Sequence, residues 1–200
     1  MTDPGYIADL AAYGLAGAFL LALAERLIPV VPSYGLYIFL GSALVRQPID
    51  LVPLIIVTTL ASTLGAICWY WIGRALGEER THAMVKRFGR YVWLSEALYL
   101  SLAARYSRNA FIATFVGQTV PVVRVYLSLP AGILNLPLTT FALAVFAGSA
   151  LWVGGFTTLG YVLNIFGWDP GTTTLIAVVV LLVVEGGLVW IMRRRKDAAS

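Results

Sequence analysis

Apolar residues fill most of the chain, and the information lies in where they are interrupted. Residues 6–25, YIADLAAYGLAGAFLLALAE, predict a first helix of spanning or near-spanning length. About 20 apolar residues in helical form cross the hydrocarbon core of a bilayer. Residues 26–46 are also apolar, but Pro29, Pro32, Gly35 and Gly41 break the run. Proline removes a donor and clashes with the preceding turn, so this stretch predicts a re-entrant helical hairpin. Its loosened backbone must be covered by protein or water. Residues 50–76 predict an uninterrupted span, with Trp69, Tyr70 and Trp71 at its interfacial end.

The pattern changes over residues 77–109. Met84, Val85, Phe88, Val92, Leu94, Leu98 and Leu102 recur at helical spacing among charged residues. They predict one or two amphipathic helices on the membrane surface, with Ser95 as an N-cap. Residues 110–133 are apolar again and are read as broken at Gly117, Pro121, Pro130 and Gly132, which predicts a second re-entrant hairpin. Residues 138–163 and 172–192 predict two further spans, and 193–200 is a basic tail.

Composition fixes the solvent. Of 200 residues, 60% are hydrophobic and 12% charged, and the mean hydropathy is +0.84. A soluble domain of this length cannot bury that much apolar surface. The fold class is therefore all-α: a polytopic membrane protein with two opposed re-entrant helical hairpins, an amphipathic interfacial region and about four spanning or near-spanning helices. Residues 1–200 read as a single membrane domain. Met1 to Asp9 holds no Lys or Arg, so the first apolar segment is expected to stay rather than be cleaved as a signal peptide. Cys68 is the single cysteine, which excludes an internal disulfide; an inert buried thiol is expected. Each half pairs a broken apolar segment with a full span, the arrangement of an inverted-repeat transporter. The likeness is read in hydropathy, not residue by residue.

Charge sets orientation. Arg74, Arg80, Lys86, Arg87, Arg90, Arg105 and Arg108 cluster between the halves, and Arg193, Arg194, Arg195 and Lys196 close the chain. Both clusters are expected on the cytoplasmic side, and both termini with them. The net charge of +4 is a topological signal of this kind, and no nucleic-acid partner is expected. Glu25, Arg124 and Glu185 stand out as charges deep in apolar sequence. Each costs at least about 2.5–3.5 kcal/mol to insert, so each calls for a partner, a cavity or a function. Glu25 is a candidate proton carrier. Arg124 is a cation at every relevant pH and can fork onto a phosphate. An interfacial Glu25 and a structural Arg124 ion pair are the alternatives. Glu185 is read as approaching the cytoplasmic interface. His82, the sole histidine, reads as a surface residue. No HExxH, metal cluster, P-loop or nucleophile–base set appears, so neither a cofactor nor an enzyme activity is expected.

Three blocks then resemble the DedA family, also called SNARE-associated or VTT-domain proteins. ERLIPVVPSYGLYIFLGSAL is similar to its E-N-x-x-P-P-I-P-S-E-x-x-L-x-x-x-G block. TLGAICWYWIGRALGEE is similar to its G-x-x-x-x-Y-x-x-G-R block. FVGQTVPVVRVYLSLPAGILNLPLTTF, with GSALW and LGYVL after it, is similar to its F-x-G-R-x-x-P-x-x-R-x-x-x-x-x-x-A-G block. The resemblance covers residues 10–165.

It implies a bacterial inner-membrane protein with facing re-entrant hairpins. It further implies lipid transport: return of undecaprenyl phosphate across the membrane in dependence on the proton motive force, or phospholipid scrambling as in eukaryotic relatives. Glu25 matches the family's first acid and Arg124 its second hairpin arginine. Tyr34 stands where a second acid is frequent, and Gln118 where an arginine is usual. A Tyr34–Gln118 hydrogen bond is the expected replacement for that charge pair.

The site residues are therefore Glu25, Arg124, Gln118 and Tyr34, shaped by Pro29, Pro32, Gly117, Pro121, Pro130 and Gly132. The expected partner is a membrane lipid with a phosphate headgroup, with protons as candidate co-substrates and a homo-oligomer as an open alternative. A small-ion or oxyanion transporter, a passive scramblase and a membrane scaffold are the competing functions.

Overall fold

A computed structural model describes residues 13–28, 32–88, 109–120, 123–124, 127–167, 169, 171–172, 174–180 and 183, without the side chains of 78–88. The predicted Ser95 cap and most of the amphipathic region lie outside these residues, as do Glu185, the basic tail, Pro29 and Pro121. So do the His82 side chain and much of the 172–192 segment. Every named element is helical: α1 Leu15–Leu27, α2 Ser33–Leu44, α3 Leu51–Phe88, α4 Ala110–Gln118, α5 Ser128–Ile133 and α6 Leu138–Ile165. Helical backbone recurs over 174–180.

Local chemistry sets the boundaries. Ile28 precedes Pro29 and adopts an extended conformation, φ −128° and ψ 87°. The proline ring disfavours the helical region for the residue before it, so α1 stops there. It stops two residues later than the 25/26 boundary read from hydropathy, and Arg26 joins the first helix. Pro32 and Pro137 occupy the N-cap positions of α2 and α6 with nearly the same backbone angles. Asn109 caps α4, its Oδ1 accepting from Ile112 N at 3.0 Å. α3 bends at Gly77, where φ is 71° and ψ 167°, a conformation that only glycine adopts readily.

Among the described residues two helical stretches are long and apolar enough to cross a membrane, Pro48–Gly77 with 30 residues and Leu138–Ile165 with 28. Their outward faces are apolar: Val52, Ile56, Leu60 and Leu64 form an exposed stripe at four-residue spacing along α3. Their inward faces carry hydroxyls, among them Thr58, Thr59 and Ser62 on α3 and Ser149 and Thr157 on α6. Apolar outside and polar inside is the pattern expected with lipid as solvent. Cys68 is exposed. The buried position expected for it is corrected, because an apolar sequence in a membrane helix does not imply a protein-facing side chain.

The principal pairings are α1–α3, α2–α6, α3–α5, α3–α6 and α4–α6. Exchanging α1, α2 and α3 for α4, α5 and α6 leaves this set unchanged, so the chain packs as two related halves. A residue-level repeat accompanies it. Pro29-Val30-Val31-Pro32-Ser33-Tyr34 and Pro121-Val122-Val123-Arg124-Val125-Tyr126 share P-V-V-x-x-Y, at the same 92-residue separation as the Arg26–Gln118 contact.

The crossings rest on glycine. A Cβ on Gly41 or Gly160 would collide with the α6 or α2 backbone, at Thr157 and Ile38 respectively. A Cβ on Gly73 or Gly132 would do the same between α3 and α5, at Leu129 and Tyr70. Gly117 lies inside α4 and packs on Leu127. Gly117 and Gly132 are therefore close-contact positions rather than the helix breaks expected of them. Pro130 likewise sits in the first turn of α5, where its missing N–H leaves no bond unmade.

Tyr70 ties these crossings to the loop before α6. Its hydroxyl donates to the Leu136 carbonyl at 2.6 Å, and its ring stacks on Phe141 with centroids 5.1 Å apart. Replacing Tyr70 with phenylalanine keeps the stacking and strands that carbonyl. Thermal unfolding in detergent should show a loss of about 1 kcal/mol.

Candidate functional site

α1 carries Glu25 and Arg26 into the interior at its C-terminal end. Glu25 is 7% exposed and Arg26 2%. Two groups fix that end of the helix. The Trp69 indole on α3 donates to the Arg26 carbonyl at 3.2 Å, satisfying one of the orphan acceptors at a helix terminus. Gly65, also on α3, leaves room for the arginine stem; a Cβ there would lie 2.7 Å from Arg26 Cγ. From the other half, α4 delivers Gln118 at its last residue. Gly148 on α6 makes space for it, since a Cβ would lie 2.6 Å from Gln118 Cβ. Arg124 follows in the segment between α4 and α5.

Arg124 and Gln118 are both wholly buried, at 0% exposure. Arg124 Nη1 donates to Ser33 Oγ at 3.4 Å, and its guanidinium carbon lies 5.0 Å from the centre of a Trp152 ring. That distance is within reach of a cation–π attraction. Arg26 Nη2 donates to Gln118 Oε1 at 3.2 Å and to Ser128 Oγ at 3.5 Å. Glu25 Oε2 accepts from the Tyr37 hydroxyl at 3.4 Å. Tyr34 is buried, its ring centroid 6.0 Å from that of Phe156.

The structure thus brings Glu25, Arg124 and Gln118 into the interior where the two halves meet. It does not form the expected Tyr34–Gln118 bond: Gln118 accepts from Arg26, and its amide nitrogen has no partner among the described residues. The reason is steric and electrostatic. A guanidinium, with its full charge and planar fork, is the stronger donor to an amide oxygen, and α1 extends far enough to bring one there.

Arg26 was missed in the sequence because it stands beside Glu25 at an expected helix end, where a charged pair reads as interfacial. The P-V-V-x-x-Y repeat is the signal that finds it, since it aligns Arg26 with Gln118. The family block has asparagine at the Arg26 position.

The electrostatics of this cluster are unbalanced. Among the described residues the buried charges are Glu25, Arg26 and Arg124, an excess of one positive charge when all are ionised. Arg26 is repelled by Arg124 and attracted by Glu25. Neither arginine directs its hydrogen bonds to the carboxylate. Arg26 Nε and Nη1, Arg124 Nε and Nη2, Gln118 Nε2 and Trp152 Nε1 are all buried without a partner among the described residues. Unmet donors on buried cations are costly, and a set of them on two guanidinium groups is the chemistry of an anion receptor. No group of three or more His, Cys, Asp or Glu suited to a metal ion occurs among the described residues.

Comparison with known proteins places the chain among membrane proteins. The chain is 26% identical over 190 residues to undecaprenyl phosphate transporter A of Staphylococcus aureus, covering 92% of this chain and 94% of that protein. It is 28% identical over 187 residues to inner membrane protein YghB of Escherichia coli, covering 88% and 82%. A Lactococcus lactis relative, 24% identical over 190 residues and covering 91% and 88%, is called an alkaline phosphatase-like protein. That name does not carry over to a chain with one histidine and no nucleophile–base set in its sequence. No solved structure matches the chain. The VTT-domain family profile matches residues 31–162, and the chain belongs to this family of DedA membrane proteins, among whose members are named transporters.

Proposed function

We propose that the protein is a lipid translocase of the bacterial inner membrane, moving undecaprenyl phosphate or a related phospholipid between leaflets. The observation that carries this reading is the pair of buried arginines whose remaining N–H groups have no partner among the described residues. Arg124 holds the phosphate, Gln118 adds its amide donor, and Tyr34 lines the wall beside Phe156. The printed name of the Staphylococcus aureus relative supports a phosphate-bearing lipid as cargo.

The short helices fit a path for such a lipid. α1 and α2 have 13 and 12 described residues, about 20 and 18 Å at 1.5 Å per residue, and α4 and α5 are shorter still. Each pair forms a re-entrant hairpin, entering from opposite faces, within one membrane domain spanning residues 1–200. The repeat is inverted, and the headgroup moves where the hairpins meet while the tail stays in lipid. The Lys/Arg-rich connection and tail support a cytoplasmic position for both termini.

Glu25 carries the proton. Ionised, it leaves one excess positive charge to match a phosphate monoanion; protonated, it leaves two to match a dianion. Replacing Glu25 with glutamine keeps its size and hydrogen-bonding capacity and removes the titration. Transport by this variant in liposomes should be slower and should no longer respond to an imposed pH gradient; a retained response would remove Glu25 from the coupling.

Because the same donors fit a soluble oxyanion, one assay must separate the two cargoes. Liposomes with a reporter on phosphate-lipid accessibility and a second on phosphate flux should show movement of the lipid alone. Flux of free phosphate without lipid movement contradicts the reading.

A further inference from the structure

We propose that Arg26 is a second phosphate-binding residue, and that the Arg26–Arg124 pair selects a phosphate with three free oxygens over a phosphodiester with two. The proposal rests on the anion-binding reading above and assigns a role to a residue that neither the family block nor the site prediction contains.

Three observations place Arg26 in the site rather than in the scaffold. It is almost wholly buried, yet two of its three nitrogens have no partner among the described residues. It is seated deliberately: Gly65 clears its stem, Trp69 holds its carbonyl, and Gln118 and Ser128 hold one end of its fork. It lies in the field of Arg124 with a single carboxylate nearby among the described residues, which is unfavourable unless an anion joins them. Structural arginines are normally satisfied; this one retains Nε and Nη1, as Arg124 retains Nε and Nη2.

Charge alone does not choose between headgroups, because Glu25 can offset either. The donors do. Two guanidinium groups arriving from different halves of the molecule, with the Gln118 amide and the Trp152 indole beside them, offer more N–H groups than the two free oxygens of a diester can accept. A monoester presents three free oxygens, and inorganic phosphate presents four. Each guanidinium can then take two, sharing one, as bidentate geometry favours.

The test uses two short-chain lipids with the same tails, dioctanoyl phosphatidic acid (a monoester) and dioctanoyl phosphatidylglycerol (a diester), with dioctanoyl phosphatidylcholine as the zwitterionic control. Binding is measured to the full chain in detergent. The unaltered protein should bind phosphatidic acid at least about tenfold more tightly than phosphatidylglycerol, the effect of one charged hydrogen bond. Arg26→Gln should erase that ratio by weakening phosphatidic acid while changing phosphatidylglycerol less than about threefold. Arg26→Lys, which keeps the charge but not the fork, should fall between.

Equal loss for both lipids would make Arg26 structural and overturn the proposal, as would an unchanged ratio. A measurement on the unaltered chain covers the case in which the variants do not fold: inorganic phosphate must displace phosphatidic acid at lower concentration than dimethyl phosphate does. The reverse order overturns the proposal. Binding of no anionic lipid above the phosphatidylcholine control, with inorganic phosphate still bound in preference to dimethyl phosphate, would keep the arginine pair and overturn the lipid reading instead.

Discussion

Replacing Arg124 with alanine is expected to abolish lipid translocation while leaving a folded, membrane-inserted protein. Arg124 is the largest fully buried side chain among the described residues, and it sits between the halves with Ser33 and the Trp152 ring as its partners among them. Loss of a charged, forked contact to phosphate costs about 2–5 kcal/mol when the other partner is left buried, roughly 30-fold to several-thousand-fold in binding. The protein itself should tolerate the change. Removing Arg124 also removes a cation that repels Arg26, and it leaves behind no unpaired carboxylate of its own. Thermal stability in detergent should therefore hold or rise while transport in proteoliposomes falls to the protein-free rate. Full transport by Arg124→Ala would take Arg124 out of the mechanism; loss of both transport and folding would make its role structural.

The second large effect is on folding. Gly132→Val should destabilise the protein by about 2–4 kcal/mol, the range for overpacking a contact that cannot relax. A Cβ at Gly132 would run into the Tyr70 carbonyl, with Arg74 N 2.9 Å away. These are backbone atoms of α3, so no side-chain rotation clears them. The only relief is to push α5 away from α3, which moves Ser128 and the segment carrying Arg124. Gly155→Val is the control, since none of the described residues lies within 4 Å of its Cβ position. The yield of monodisperse protein and the unfolding temperature should drop for the first variant and not for the second. Gly160→Val, in the matching α2–α6 crossing, should behave like Gly132→Val. Equal behaviour of the Gly132 and Gly155 variants would contradict the close-contact account.

What could be read from the sequence follows from which properties are local. The long helices 48–77 and 138–165 were legible because span length and unbroken hydropathy are properties of a window. The end of α1 was misread by two residues: hydropathy set it at residue 25, whereas the helix runs to Leu27 and stops at Ile28, the residue before Pro29. The burial of Glu25 and Arg124 was legible because a charge inside an apolar run must be enclosed or paired.

Arg26 was not, because its burial depends on three other helices closing over the end of α1, and hydropathy had ended that helix one residue earlier. Gly117 and Gly132 show the same limit. A glycine reads as a breaker when only its own segment is considered, and as a contact once a distant backbone is known to press on it. Cys68 was misplaced because hydropathy does not tell lipid-facing from protein-facing positions. The repeat around Pro29 and Pro121 was present in the sequence throughout, but only six positions long. Its meaning became visible through the Arg26–Gln118 and Ser33–Arg124 contacts, which join positions nearly one repeat apart.

The most direct test of phosphate-lipid carriage is the rate at which a polyprenyl monophosphate, added to the outer leaflet of sealed liposomes, becomes accessible to a reagent trapped inside. Vesicles containing the protein should equilibrate the lipid far faster than protein-free vesicles, with no acceleration for a polyprenol lacking the phosphate. The same rate with and without protein, or equal acceleration of the uncharged polyprenol, would contradict the account.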